Sequence, residues 1–524
     1  MNNLVLVLSL IIPPEKTHFY QLPAVDHWNR LYKLTAFDIF ILIPYLAILF
    51  VLAVYGIHRY HLVYLYLKNK NKIAKPKGIL EAKPRVTIQL PIYNELYVVE
   101  RLVEHVCSIR YPRELLEIQV LDDSTDGTTD IAAACVARYR QLGFDIHYIH
   151  RENRNGFKAG ALENGLKLAT GELIAIFDAD FIPAPNFLDD VVDYFSDPDV
   201  GMVQVRWGHI NREYSFLTQV ESVILDGHFV IEHGGRHFSG RFFNFNGTAG
   251  IWRRSTIETS GGWQHDTLTE DTDLSYRAQM AGWKFLYLPH IVCPAELPVE
   301  MNSFKSQQAR WAKGLIQTAI KLLPRILRSK LPWKLKTEAF FHLTANICYP
   351  LMIALSFLLL PAMIVRFNQG WFQMLYIDLP LWLASTASVS TFYLISQKEL
   401  YPDWRLRLKY LPFLMSVGIG LSVSNSKAVV EALLGIKSSF KRTPKYRIES
   451  KTDRWVTKKY LRRTGVLPIL ELTLGLYFCL VVLYAFINQN YPTIPFLMLF
   501  VVGFTYMGLM SILHMTLHRW LRGL

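Results

Sequence analysis

The chain has 524 residues, 51% of them hydrophobic, and a formal net charge of +13, with a mean hydropathy of +0.18. That balance is too oily for an ordinary soluble protein, and without a zinc-finger or RNA-binding signature the positive charge points to a membrane surface or anionic small molecules rather than nucleic acid. The five cysteines are scattered with no C-x-x-C pair, which argues against a zinc site and against a disulfide framework.

The opening apolar run, residues 4–12, is too short to span a bilayer and lacks the basic flank of a secretory signal, so it reads as an interfacial terminus. Residues 36–57 are the first run of the roughly 20 apolar residues that a crossing helix needs. Four more follow at 340–365, 371–395, 466–487 and 493–515. A further apolar segment, 411–423, is basic on both sides and reads as interfacial or re-entrant. Lys68, Lys70 and Lys72 follow the first span, and Lys321, Arg325 and Arg328 precede the second, which places the segment between them on the cytosolic side. The expected organisation is an N-terminal segment (1–76), a catalytic domain (77–320), a basic interfacial helix (321–338), two spans (339–395), a cytosolic or interfacial segment (396–465) and two final spans with a basic tail (466–524).

Within the charged segment, VTIQL (86–90), IQVLDD (118–123), IHYIH (146–150) and LIAIFDAD (173–180) are strand-like, and helical periodicity fills the gaps. Alternating strands and helices predict an α/β domain with a mostly parallel sheet, whose ligands bind beyond the carboxyl ends of the strands. Two strands end there in paired acids, Asp122–Asp123 and Asp178–Asp180. Two carboxylates at D-x-D spacing suit one Mg2+ or Mn2+, hard cations that bridge readily to phosphate. Asp123 reads as a hydrogen-bond acceptor for a base, and Asp126 as a helix cap.

Lys158 lies in a glycine-rich turn that enters a helix, which suits a diphosphate. Glu270, Asp271 and Asp273 open another helix. They read either as first-turn acids stabilised by the helix dipole or as a general base for a sugar hydroxyl. Gln307 and Arg310 share a helix face beside Trp311, which suits a leaving diphosphate and a sugar, or simply an interfacial helix. Trp207, Trp252, Trp263 and Trp311 are candidates for stacking sugars along a path.

The order YNE (93–95), DDSTD, KAG, DAD, TED and Q-x-x-R-W resembles the family 2 glycosyltransferases over about residues 84–314, within them the membrane-embedded cellulose synthase superfamily. LPIYNE, QVLDDSTD, NRNGFKAGAL, VQVRW, FNGTAGIWR and RTPK bring it closest to plant cellulose synthase-like β-mannan and glucan synthases. The resemblance implies a GT-A, Rossmann-like domain inserted between transmembrane helices and an inverting single displacement. It implies that Tyr93, Glu95, Asp122, Asp123, Lys158, Asp178, Gln307, Arg310 and Trp311 bind the nucleotide sugar. Asp178 and Asp180 would hold the metal, and Asp271, with Glu270, would do the base chemistry. Asn246, Gly247, Thr248 and Trp311 would meet the acceptor, and Arg442, Thr443 and Lys445 would form a gating loop within 437–446.

The expected function is processive transfer of a hexose from GDP-mannose or UDP-glucose to a growing β-linked polysaccharide, which is extruded across a plasma or Golgi-type membrane. The alternative is transfer of one sugar to a membrane lipid. The expected partners are the donor, the glycan and the bilayer; accessory subunits or a homo-oligomer stay open.

Overall fold

The computed structural model describes residues 35–369, 380–438, 440, 442–460 and 465–522. Helix α1 (Ala36–Asn69) leads into a seven-stranded sheet. Its strands are β1 (Val86–Ile92), β2 (Leu116–Asp122), β3 (Asp145–His150), β4 (Leu173–Ile176), β5 (Val200–His209), β6 (Gly250–Arg253) and β7 (Lys284–Ala295). They lie in the order β3-β2-β1-β4-β6-β5-β7. The first four strands are parallel, as their near-continuous apolar runs require. β6 enters antiparallel between β4 and β5, and β7 runs parallel to β5, so the sheet as a whole is mixed.

Helices α2 (Val99–Cys107), α3 (Thr128–Gln141) and α4 (Phe157–Leu168) connect the parallel strands. The apolar stripe Val99, Leu102, Val103 and Val106 of α2 is fully buried in one cluster with Val86, Ile88 and Leu90. Register then decides where the site lies. β1 and β2 end together at Ile92 and Asp122, and β4 stops at Ile176 opposite Gln89, so the 177–180 loop runs on beside their ends and the acidic residues share one rim.

The second half of the domain carries α5 (Phe216–Gly227), α6 (Glu270–Met280) and the long α7 (Met301–Arg328). Glu300 starts α7 by accepting from the N–H groups of Asn302 and Ser303, each at 2.8 Å. The basic stretch expected as one helix at 321–338 is divided. Its first part ends α7, and Pro332 breaks the chain before α8 (Trp333–Thr344), because the residue before a proline is pushed out of the helical region.

Next come α9 (Cys348–Gln369), α10 (Ser388–Leu400), α11 (Leu411–Leu433), α12 (Leu467–Ile487) and α13 (Ile494–Arg522). Among the described residues, five stretches are long and apolar enough to cross a membrane: 36–69, 333–366, 404–433, 467–487 and 491–521. Four of them contain the expected spans at 36–57, 340–365, 466–487 and 493–515 or overlap them closely. The expected span at 371–395 and the apolar terminus at 4–12 lie partly or wholly outside the described residues.

The segment 411–423 is longer than its apolar core suggested. α11 qualifies as a crossing helix by length and composition alone, yet both of its ends meet the catalytic domain. Leu414 and Val417 share a cluster with Leu217, Val220, Met301 and Phe304, and Val429 and Ala432 pack on Ala312 and Ile316. α11 therefore lies alongside α7 instead of leading away from it.

One polar contact ties the helical bundle to the domain, and one close approach packs the bundle itself. Lys305 on α7 pairs with Glu471 on α12 at 2.6 Å and donates to Ser511 Oγ on α13 at 3.2 Å. Gly420 on α11 sits where a Cβ would lie 2.4 Å from Met507 and 2.5 Å from the Gly503 carbonyl of α13. Gly420→Ala should force these helices apart and cost about 1–3 kcal/mol, the usual range for overpacking. A lower melting temperature of the solubilised protein would show it, and an unchanged one would contradict the packing.

Candidate functional site

The loops after β1, β2 and β4 open onto one cavity. It is closed on its other sides by α6, α7, the 245–250 turn and the residues Phe440, Arg442, Thr443 and Lys445. Asp178 and Asp180 follow β4 in this rim. The Asp178 backbone N–H donates to Thr248 Oγ1 at 2.8 Å, which aims its carboxylate inward. Lys158, from the first turn of α4, donates to Asp178 Oδ1 at 2.5 Å and to the Gly247 carbonyl at 2.9 Å. Gly247 has φ +83°, and a Cβ there would lie 3.0 Å from Asp271 Oδ2 and 3.5 Å from Lys158 Nζ. Only glycine lets the backbone come this close to both groups without strain.

Asp180 has a different counterion. Lys445 lies 2.8 Å from its Oδ2 and also donates to the Glu296 carbonyl. Arg442 pairs with Glu95 at 3.1 Å. The Arg154 guanidinium stacks 3.3 Å from the Tyr93 ring centroid, and Arg310 lies 4.7 Å from the Phe440 centroid. Phe440, Arg442, Thr443 and Lys445 thus form one wall of the cavity, held by ion pairs and cation–π contacts.

Electrostatics follow from burial. Desolvation raises the Asp178 carboxyl above its ordinary value, against the opposing pull of Lys158. Burial would lower Lys158, but Asp178, Glu270 and Asp271 together outweigh it and raise the ammonium. Asp271 is pushed up to about 7, first by burial and then by the neighbouring Glu270 carboxylate. Its Oδ1 accepts the Thr272 N–H at 2.7 Å. Glu270 is also raised, chiefly by burial. Arg310 is lowered by burial, and its Nε has no hydrogen-bond partner among the described residues.

Two carboxylates in one D-x-D turn, each with an oxygen on a lysine ammonium, already balance positive charge, so the donor set fits a divalent cation shared with a diphosphate. The protein supplies only these two carboxylates; no group of three or more His, Cys, Asp or Glu suited to a metal occurs among the described residues. Substrate oxygens would have to complete the shell, as is usual for Mg2+.

The cavity brings together Tyr93, Glu95, Asp123, Lys158, Asp178 and Asp180 with Asn246, Gly247, Glu270, Asp271, Gln307, Arg310 and Trp311, as well as Arg442, Thr443 and Lys445. Two expected residues lie beneath it. Asp122 is fully buried, accepting the Ser124 N–H at 2.9 Å and the Tyr148 hydroxyl at 2.7 Å. Thr248 is fully buried and acts through Asp178. Asp123 lines the cavity but is gripped by Arg151 at 2.7 and 2.5 Å. Asp126 is not the N-cap, which is Gly127; it lies one residue earlier and accepts the Thr128 N–H at 3.0 Å in a local turn. Asp273 takes no part in the cavity and pairs with Arg277 at 2.7 Å.

Of the four tryptophans, Trp207 and Trp311 reach the cavity. Trp252 and Trp263 are core residues instead, packed edge-to-face with each other and, for Trp252, against Phe285. Sequence reasoning missed Glu221, Glu296 and His209, which also line the cavity. Glu221 carried one readable signal: a charge at the i+4 position of the apolar stripe that begins at Leu217 and continues through Leu225.

The family model described as "Glycosyltransferase like family 2" matches residues 84–314. Glucomannan 4-beta-mannosyltransferase 2 of Arabidopsis thaliana is 41% identical over 253 residues, covering 47% of this chain and 47% of that protein. Glucomannan 4-beta-mannosyltransferase 7 of the same plant is 33% identical over 443 residues, covering 81% of this chain and 77% of its own length. Apart from that longer match, the chain spans about half the length of the curated relatives it matches. A solved mannosyltransferase from Pyrobaculum calidifontis, in complex with GDP-mannose and Mn2+, is 22% identical and superposes with a TM-score of 0.49 over 75% of this chain and 100% of that one. Motifs gathered on one rim and a match that runs through most of both sequences place this chain as a member of glycosyltransferase-like family 2, in its cellulose synthase-like branch.

Proposed function

We propose that the protein is an inverting hexosyltransferase. In this reading it moves a sugar from a nucleoside diphosphate sugar to the growing end of a β-linked polysaccharide. One observation carries the reading. A half-buried carboxyl group at Asp271, raised to about 7, shares a cavity with cationic groups at Lys158 and Arg310 and the D-x-D pair. Such a site holds a base on one side of a reacting carbon and a place for a departing diphosphate on the other.

Asp271 takes the proton of the acceptor hydroxyl as that oxygen attacks the anomeric carbon. Lys158 and Arg310 meet the negative charge that grows on the leaving diphosphate, and in a water-poor cavity such fixed charges are worth far more than in bulk solvent. Tyr93, Asp123 and Arg154 frame the nucleoside end. Asp178 and Asp180 would hold Mg2+ or Mn2+, and a cation bound there would neutralise part of the diphosphate charge. Attack from the face opposite the leaving group inverts the centre, so an α-linked donor yields a β-linkage. Mannose is favoured as the sugar, and GDP-mannose over UDP-glucose as its carrier, by the names of the relatives, which describe mannosyl transfer in glucomannan.

The catalytic domain faces the cytosol, with helices such as α1, α12 and α13 in the bilayer of a multi-pass protein. Phe440, Arg442, Thr443 and Lys445 close over the donor, and the product is elongated processively and extruded, since a polar polymer cannot enter hydrocarbon unaided. The test is incubation of the solubilised full chain with Mn2+, GDP-mannose or UDP-glucose and a β-1,4-linked tetraose, followed by mass spectrometry. A ladder of products many units longer supports the reading. A single added unit would reject processivity, and no addition with either donor would reject the function.

A further inference from the structure

We propose that the wall formed by Trp207, His209 and Glu221 is a subsite for the terminal hexose of the acceptor glycan, with Glu221 as its hydrogen-bonding anchor. The inference rests on the glycosyl-transfer reading and adds a specificity-determining residue to it.

These three residues line the same cavity as Asp178 and Asp271, on the side of Asp180 and Ala295. Trp207 and His209 lie on β5 beyond the register shift between Val205 and Arg206, and Glu221 comes from α5. Glu221 is only 1% exposed. Both of its carboxyl oxygens are shielded and have no hydrogen-bond partner among the described residues, and the same holds for Trp207 Nε1 and His209 Nδ1. Buried polar atoms are ordinarily paired, and unpaired ones gathered on one cavity wall are free to meet a ligand's hydroxyl groups. His209 Nε2 lies 3.1 Å from Asp226 Oδ1, which fixes the ring with Nδ1 as the unused nitrogen. Trp207 is held rigidly by Phe181 and Phe229, at centroid distances of 5.1 and 5.2 Å.

The chemistry of the wall selects its ligand. The three side chains bring no fixed positive charge that would hold a phosphate. Lys445, the charged group acting on Glu221, is committed to Asp180 at 2.8 Å. What remains is a neutral ligand rich in both hydroxyl donors and acceptors, set against an aromatic wall, which describes a sugar. Burial pushes the Glu221 carboxyl up to about 8, so near neutral pH it carries a proton and offers one O–H donor beside one acceptor.

That state makes a sharp test. Gln is the isostere of a protonated Glu, whereas Leu removes both hydrogen-bonding atoms while keeping the bulk. On the full chain in detergent with Mn2+, Glu221→Leu should raise the acceptor KM for β-1,4-mannotetraose by about tenfold or more, with kcat at saturating tetraose within about twofold. Glu221→Gln should stay within about threefold in KM. Direct calorimetric binding of mannotetraose should show the same order of affinities without turnover. If the wild type transfers mannose and Glu221→Leu leaves the acceptor KM unchanged, the subsite is overturned and the transferase reading stands. If the wild type binds tetraose in a Glu221-dependent way but transfers nothing, the subsite stands and the transferase reading falls. No binding and no transfer overturn both.

Discussion

Asp271→Asn is expected to lower the rate of sugar transfer by about 10²- to 10⁴-fold, the range typical of a lost general base, while the affinity for the donor stays near that of the wild type. The amide keeps the shape and the hydrogen bond to the Thr272 N–H but cannot take a proton. The wild-type pH profile makes the assignment specific. Burial and the adjacent Glu270 hold Asp271 at about 7. A raised pKa means that below this value the group carries a proton and cannot act as a base. The acceptor kcat/KM should therefore fall about tenfold per unit as pH drops below roughly 7 and level off above it. Asp271→Asn should lose that limb. A variant with wild-type rates, or one that keeps the limb, would remove Asp271 from the chemistry.

The second large effect is at the D-x-D turn. Asp178→Ala should abolish the Mn2+-dependent part of nucleoside diphosphate binding, weakening it by about 10²-fold or more, since even outer-shell partners of a metal cost 10- to 100-fold. The loss is compounded because Lys158, 2.5 Å from Asp178 Oδ1, would then be a buried cation without its main counterion. Calorimetry of GDP with and without Mn2+, compared with EDTA-treated protein, reads this directly. Unchanged affinity in the presence of Mn2+ would take the metal away from this turn.

The legible parts of the molecule were those where chemistry sits in short contiguous stretches at strand ends. Asp123, Asp178 and Asp180 could be placed because a parallel strand delivers its last side chains to a common rim. Lys158 and Asp271 could be placed because glycine-rich and acidic helix starts are local signals. The partners of these residues were not legible. Lys445 reaches Asp180 from 265 positions away in sequence, a closeness that only tertiary structure creates. The 250–253 strand has four residues and enters antiparallel, too short for its periodicity to speak. Trp252 and Trp263 read as sugar platforms because aromatic residues serve cores and carbohydrate sites alike, and only packing separates the two. Residues 411–433 read as a short segment because Ser424, Asn425 and Ser426 interrupt the apolar run. In the fold those polar groups are covered as α11 lies along α7 under α13, and Ser424 Oγ donates to the Leu421 carbonyl at 3.1 Å within the helix.

The central claim is that one cavity displaces a nucleoside diphosphate from the anomeric carbon with a carboxylate base on the opposite face. Its most direct test is the proton NMR spectrum of the first product formed from an α-linked nucleotide mannose or glucose on β-1,4-tetraose. A new anomeric signal of β configuration from the added terminal residue is the expected result. An α-linked product would mean retention, and the single displacement built on Asp271, Lys158 and Arg310 would be wrong.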